Sequence, residues 1–500
     1  MKIIVQAGGK GTRLKDLTKN KPKCLVPVNN KPILFHLFDN FKSEDCIVIG
    51  CYKSDILANY LKVFKPEVKY VDSVGEGNAC GIREALTLIP DGEPFLLIWS
   101  DILLPRDFEL PTDLSRNYIG LFGKGIQCSW CFKNNELIKE KSEEKGVAGF
   151  FIFKNKDELI DVCEEGSFTS WLKNKDVQFE ELLLSNALEL GSLSSITPFL
   201  KNENRCRPYN NLEINDDFVV KTGLTKEAKD FIKKEIVWYK KMSELGFKDM
   251  PHVLSYEPLK LEKIKGDNFF HSDNNDKRAA IQNVIKAIKL LHSLGCEKSD
   301  DTTFEEEYFT KTLKRLDSIK GTLPFSKFKS IEINGKHCVN PIVERDLFKD
   351  FLKKNINPVD FVPIHGDCTL TNILVTENSD IFFIDPRGYF GKHQVFGDPR
   401  YDWAKLYYSL SGNFDQFNIK NYNLTFSGES VNFDIGSNGY EGFEDMIFDQ
   451  NPSLNKKEIK IIHAVIWLSL ASHCWEDFDS MCVAFYNGCL LLNEAGFVIS

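Results

Sequence analysis

The chain has 500 residues, with 63 Lys and Arg against 72 Asp and Glu and a net charge of −9. No long basic run exists to track a phosphate backbone, so nucleic acid is excluded as an expected partner. The length exceeds one compact core and suggests two domains, one of them bilobal. Fourteen cysteines lie scattered without framework spacing, which points to a reducing compartment. The C-x-x-C at Cys128–Cys131 has no second pair and is not read as a zinc or redox site. The start of the chain lacks the charged and apolar regions of a signal peptide, and the apolar stretch Ile461–Ser472 is too short to span a bilayer. A cytoplasmic protein with no membrane partner is expected.

Lys2–Gln6 reads as a strand and feeds Ala7-Gly8-Gly9-Lys10-Gly11-Thr12-Arg13-Leu14, a glycine loop followed by a predicted helix. Glycines let backbone N–H groups approach phosphate, and Lys10 and Arg13 add positive charge there. The loop is neither a Walker A motif nor G-x-G-x-x-G, because the required G-K-[ST] and the last glycine are missing. Lys21-Pro22-Lys23-Cys24-Leu25-Val26-Pro27-Val28 follows. Short strand-like runs at Cys46–Gly50 and Val68–Val71 alternate with an amphipathic segment at Ser54–Phe64, which predicts βαβ units and a doubly wound parallel sheet. Gly75–Ala79 opens a further helix, and Phe95–Trp99 ends in Ser100-Asp101. A carboxylate at that end of a parallel strand stands where open α/β sheets bind ligands.

The G-G-x-G-T-R-L loop and the P-K-x-L-x-P-V run together resemble the nucleotidyltransferases that make nucleotide sugars and CDP-alcohols. The resemblance implies a Rossmann-like α/β domain over residues 1–195. In it Gly8, Gly9, Gly11 and Thr12 cradle the nucleotide, Arg13 contacts its phosphates, and Lys23 neutralises charge as pyrophosphate leaves. Asn78 is the implied nucleoside contact and Asp101 a magnesium ligand. Where the family carries its second metal aspartate, this chain has Glu189, within Glu189-Leu190-Gly191. The segment ends too soon for the left-handed β-helix that some relatives append.

The junction falls near Ser192–Glu203 and begins a second domain, 196–500. Arg207–Val220 predicts a β-hairpin turning at Asn215-Asp216-Asp217, with Lys221 ending its second strand, and a helix runs from about Thr225 to Met242. Leu259–Ile264 alternates as a strand, and Lys277–Leu294 is helical with Gly295 as its cap. His292 reads as a core or capping residue. Pro363–Arg387 then carries His365-Gly366-Asp367, Asn372 five residues on, and Asp385 after the apolar run Ile381–Ile384. Two carboxylates and an amide brought together suit phosphoryl transfer: Asp367 as base, Asn372 and Asp385 on magnesium.

H-G-D-x-x-x-x-N followed by I-D is similar to the aminoglycoside phosphotransferase and choline kinase superfamily, a bilobal protein-kinase-like α+β fold. The resemblance makes Lys221 the phosphate-binding lysine and Glu235, rather than Glu227, the acid that orients it. Choline kinases carry aromatic and acidic residues after the second Asp, whereas Pro386-Arg387-Gly388 stands here, which speaks against choline and makes Arg387 a contact for phosphate or a polar acceptor. Asp402, in the G-D-x-x-x-D-x-A-x-L run from Gly397, is structural in this reading, and the segments beyond it read as helices. The two resemblances together imply a bifunctional enzyme, with magnesium as cofactor and ATP and CTP or another NTP as substrates. It would phosphorylate a small hydroxylated metabolite and then convert the phosphate to an NDP-activated alcohol, polyol or sugar for surface glycans. The alternatives are an anomeric sugar kinase with a sugar-1-phosphate nucleotidyltransferase, or a transferase with a non-catalytic sensing module. Whether the chain forms a homo-oligomer is left open.

Overall fold

Lys2–Gln6 is buried from Ile3 onward because its apolar side chains face covered surfaces on both sides, as in the centre of a parallel sheet. It pairs in parallel with Cys46–Gly50 and Phe95–Trp99, and Cys46–Gly50 pairs in parallel with Lys69–Asp72. The sheet is mixed rather than wholly parallel. Gly146–Phe153 runs antiparallel against Phe95–Trp99, and Cys131–Lys133, Glu136–Ile138, Tyr118–Phe122 and Glu180–Leu184 complete nine strands. The phenylalanines Phe95, Phe151, Phe153 and Phe168 fill one face with stacked and edge-on rings. Burying each contributes about 1.5–3 kcal/mol.

Gly149 shows how this sheet serves the site. Its φ is +74°, and a Cβ there would lie 2.6 Å from the Trp99 ring. Only glycine leaves room for the Trp99 ring at the strand end that presents Asp101.

The computed structural model describes residues 1–200, 210–271 and 276–499. The chain divides into two compact units, the first comprising Met1–Asn202 with Gly321–Leu323 and Cys474–Asp479, the second the remainder. Among the described residues no helix is long and apolar enough to cross a membrane, and the cysteines are free thiols.

The second unit begins with an antiparallel sheet ordered Asn210–Ile214, Phe218–Gly223, Leu259–Glu262, Val253–Tyr256. The predicted hairpin pairs Leu212 with Lys221, while its expected start at Arg207 lies outside the described residues. The long helix is Lys226–Glu244, and the Thr225 hydroxyl caps it by accepting from Ala228 N–H. Helix Lys277–His292 ends at Ser293 in helical geometry rather than on Gly295. A three-stranded sheet, Gly266–Asn268, Ile373–Thr376 and Ile381–Phe383, carries the Asp367–Asp385 segment.

Beyond Asp402 the chain is not all helical as expected. Tyr422–Ser427 and Ser430–Ile435 form a hairpin that joins Ser330–Ile333 and Lys336–Val339 in a four-stranded sheet. The alternation in these short runs was obscured by their polar residues. Helices Lys456–Ala471 and Phe478–Glu494 are apolar nearly all round because they sit in the core.

Candidate active sites

In the first unit the glycine loop leaves the strand at Gln6. This buried glutamine accepts from Gly8 N–H at 3.3 Å and donates to the carbonyls of Asn78 and Cys80, each at 2.9 Å. It thereby pins the glycine loop to the Gly75–Ala79 loop. Sequence reasoning passed over Gln6; the signal was a polar residue ending an otherwise apolar strand. Gly11 has φ +63°, and a Cβ would press at 3.0 Å on both Lys23 and Thr18. A Cβ on Gly9 would meet only the end of the Lys23 stem, at 4.0 Å, so that side of the loop is open to a ligand. Thr12 and Arg13 begin the expected helix, which is of the 3-10 kind, and Lys15, at φ 51°, breaks it.

Lys23 Nζ donates to Asp101 Oδ2 at 2.5 Å, and Arg13 Nη2 to Glu189 Oε1 at 3.0 Å. Glu189 pairs antiparallel with Ile102, and Leu190 N–H donates to the Asp101 carbonyl at 2.8 Å, so the two carboxylates arrive side by side. Both converge on Gly191. A methyl group there would meet Asp101 Oδ2 at 2.9 Å and Arg13 Nη2 at 2.7 Å, with Glu189 Oε1 closer still. Asn78 Oδ1 is occupied, accepting from Phe168 N–H at 2.8 Å, so this side chain orders the loop through its oxygen.

In the second unit Lys221 sits between two strands, registered with Leu212 and Leu259. Its Nζ lies 2.7 Å from Glu235 Oε2 and 2.7 Å from Asp385 Oδ1. Burial would discharge this amine, but Asp385 and Glu235 together raise its pKa and hold it charged. Burial pushes the Glu235 carboxyl up, and its Oε1 has no hydrogen-bond partner among the described residues. Asp385 has φ +55°, a strained geometry of the kind held at functional sites, and its side chain is 53% exposed.

Asn372 Nδ2 donates to Asp367 Oδ2 at 2.9 Å and to its carbonyl at 3.0 Å, which turns Asn372 Oδ1 away from Asp367. Lys405 Nζ, on the helix Pro399–Leu410, lies 2.9 Å from Asp367 Oδ1. The loop beneath is locked by Asp402, which accepts from the N–H groups of His365 and Gly366 at 2.9 and 2.7 Å and meets His292 Nε2 at 3.0 Å. Burial opposes ionisation of Asp402, yet the hydrogen bonds from His292 and from the His365 backbone N–H keep its pKa low. Burial lowers the His365 pKa. Its Nδ1 accepts from Asp367 N–H at 3.2 Å and its Nε2 donates to the Ile384 carbonyl at 3.0 Å, the pattern of a neutral ring.

Arg387, two residues beyond Asp385, turns into a buried ion pair. Its side chain is 12% exposed, and Nη2 donates to Glu307 Oε2 at 2.6 Å. Lys405 and Glu307 were missed because each reaches this region from a distant helix.

Residues 2–116 match the nucleotidyl transferase family. The N-terminal domain is a Rossmann-like domain related to these enzymes. The CTP:phosphoglutamine cytidylyltransferase of Campylobacter jejuni is 38% identical over 140 residues, 26% of this chain and 54% of its own length. A UTP–glucose-1-phosphate uridylyltransferase of Haloferax volcanii is 44% identical over 108 residues, 20% of this chain and 43% of its own. This chain spans between about a quarter and about half of the length of such curated relatives. Among solved structures, the CTP:phosphocholine cytidylyltransferase of Streptococcus pneumoniae aligns with 39% of this chain and 96% of its own, at 22% identity and a TM-score of 0.32.

Proposed function

We propose that the first unit is a nucleotidyltransferase acting on a phosphate monoester such as a sugar phosphate or a phosphocholine-like compound. The second unit, in this reading, is a small-molecule kinase that supplies that monoester. The observation that carries the first half is the convergence of Asp101, Glu189 and Arg13 at Gly191, with Lys23 on Asp101, in a domain whose glycine loop lies in the segment that matches the family. Phosphate oxygens entering there would take Lys23 and Arg13 from their carboxylate partners, leaving Asp101 and Glu189 as hard oxygen donors. That donor set fits magnesium, which binds through one or two carboxylates and completes its shell with water and phosphate. Among the described residues no three His, Cys, Asp or Glu side chains gather as a metal cage. Bound there, magnesium would neutralise charge on the nucleotide phosphates.

For the second half the support is the meeting of Lys221, Glu235 and Asp385 beside the Asp367–Asn372–Lys405 group. Lys221 is held charged and extended by Glu235, ready for nucleotide phosphates. Asn372 Oδ1 and the Asp385 carboxylate suit a magnesium ion carried by ATP. Asp367 is oriented by Asn372 and Lys405 to accept the proton of an attacking hydroxyl. The kinase product is then the substrate of the transferase, giving an NDP-activated alcohol, polyol or sugar of the kind used in surface glycans.

Phosphorus NMR with mass spectrometry tests both halves on the full chain with magnesium, ATP, CTP, UTP, GTP and pools of hydroxylated metabolites. A phosphorylated acceptor that becomes a nucleoside diphosphate adduct is expected. Adducts formed only from pre-phosphorylated acceptors, with the matching free alcohol present, would overturn the kinase half.

A further inference from the structure

The helical run from Asp301 to Ile319 is interrupted by a π-helical stretch, Glu305–Thr310. Such an insertion turns a side chain inward and is common at functional sites. Here it buries Glu307, which accepts from Arg387 Nη2 at 2.6 Å, Lys311 Nζ at 2.8 Å and Gly391 N–H at 3.0 Å. The Arg387 guanidinium lies 4.3 Å from the Tyr389 ring centre and 5.2 Å from that of Tyr401. Lys234 and Lys311 approach the Tyr389 ring at 4.2 and 5.2 Å. One turn beyond Lys311, half-buried Arg315 faces the same group, within electrostatic reach of Tyr401, Tyr389, Arg387 and Glu307.

Arg387 and Lys311 thus share the Glu307 carboxylate, Arg315 lies within its electrostatic reach, and Lys234 adds a further cation at the Tyr389 ring. Among the described residues Arg315 has neither a hydrogen-bond nor an ion-pair partner for its guanidinium. A partly desolvated arginine facing another arginine is costly unless an anion joins them. The cluster adjoins the second site: Arg387 N–H donates to the His365 carbonyl at 2.9 Å, and a Cβ on Gly366 would lie 2.8 Å from Arg387 Cβ. Its base therefore rests on the loop that carries Asp367.

We propose, resting on the kinase reading, that the hydroxyl acceptor of this site is an acid whose carboxylate is held by Arg315 with Lys311 and the Tyr389 hydroxyl, against the wall formed by Arg387. In the reaction the γ-phosphoryl leaves the β-phosphate oxygen of ATP, giving ADP. It bonds to the acceptor oxygen, whose proton passes to Asp367. A cationic acceptor would be repelled by the same wall.

The test is ATP-dependent phosphorylation by the full chain of matched pairs, glycerate against glycerol and gluconate against glucitol, with an amino alcohol for comparison. The acids should be preferred in kcat/KM by about tenfold or more, the worth of a hydrogen bond to a charged group. Arg315→Ala should raise KM for the acid about 10- to 100-fold while KM for ATP stays within about twofold, and Arg315→Lys should recover part of the loss. Preference for neutral or cationic acceptors overturns the inference, as does a rise in KM for ATP instead, which would make the cluster a nucleotide contact. Binding of MgATP by calorimetry without phosphorylation of any acid also overturns it and leaves the kinase reading standing. Absence of MgATP binding removes both.

Discussion

Gly191→Ala separates the first site from the fold that holds it. The glycine is not in a left-handed conformation, so alanine meets no backbone obstacle. What its methyl meets are the ends of three side chains, Glu189 Oε1, Arg13 Nη2 at 2.7 Å and Asp101 Oδ2 at 2.9 Å. Ordinary contact begins near 3.4 Å, so the Glu189 oxygen must retreat by about 1 Å or more, and misplacement of that size costs about 100-fold in rate. This corresponds to about 2.7 kcal/mol of barrier. Folding should barely notice, because Arg13 is 65% and Glu189 24% exposed and each can rotate away. The assay is pyrophosphate release from NTP and a phosphorylated acceptor, alongside thermal unfolding. A loss of about 100-fold in kcat/KM with Tm shifted by less than about 3 °C is expected. Turnover within threefold of the parent would refute the convergence of Asp101 and Glu189 as the reacting centre.

Lys405→Met should lower the kinase kcat about 100-fold, because it removes a preorganised charge 2.9 Å from Asp367 Oδ1, while the transferase reaction of the same chain is unchanged. ADP release measures it, and an unchanged kcat would make the pair structural. Gly388→Ala should destabilise the second unit by about 2–4 kcal/mol in urea unfolding. Its φ is +70°, and a Cβ would lie 2.5 Å from the Lys234 carbonyl carbon, which cannot rotate away. His463 should govern part of the acid limb of stability. Burial lowers its pKa from 6.5 to about 3, and its Nε2 accepts from Trp467 Nε1 at 2.9 Å. The neutral ring is favoured on folding, so its contribution is full above pH 6.5 and is lost as pH falls toward 3, by a few kcal/mol in all. His463→Gln, which keeps an acceptor, should flatten unfolding free energy against pH in that window; an unaltered slope would count against it.

The strands Lys2–Gln6, Cys46–Gly50 and Phe95–Trp99 and the helix Ser54–Phe64 were legible to the residue, because buried strands and amphipathic helices write their period into the sequence. The hairpin at Tyr422–Ile435 was not, since its polar alternation resembles a loop and its partner Ser330–Ile333 lies about a hundred residues earlier. The choice of Glu235 over Glu227 came from the family resemblance, and the helix turns Glu235 inward to Lys221. The pairing of Arg387 with Glu307 was not legible, because nothing near Arg387 in sequence announces a partner eighty residues away.

By itself the sequence determined the local chemistry: a glycine loop after a strand, lysines at Lys23 and Lys221, and carboxylates at Asp101, Asp367 and Asp385. These are properties of short segments, where hydrogen bonding and side-chain period act over a few residues. Only the tertiary structure decided which of them meet. Arg13 reaches Glu189 across 176 residues, and Lys405 reaches Asp367 across 38. The π-helical stretch sets Glu307 among cations with Arg315 unpaired. Such meetings follow from how separate elements pack their apolar faces, and the charged residues riding on those elements carry no mark of the partner they will face.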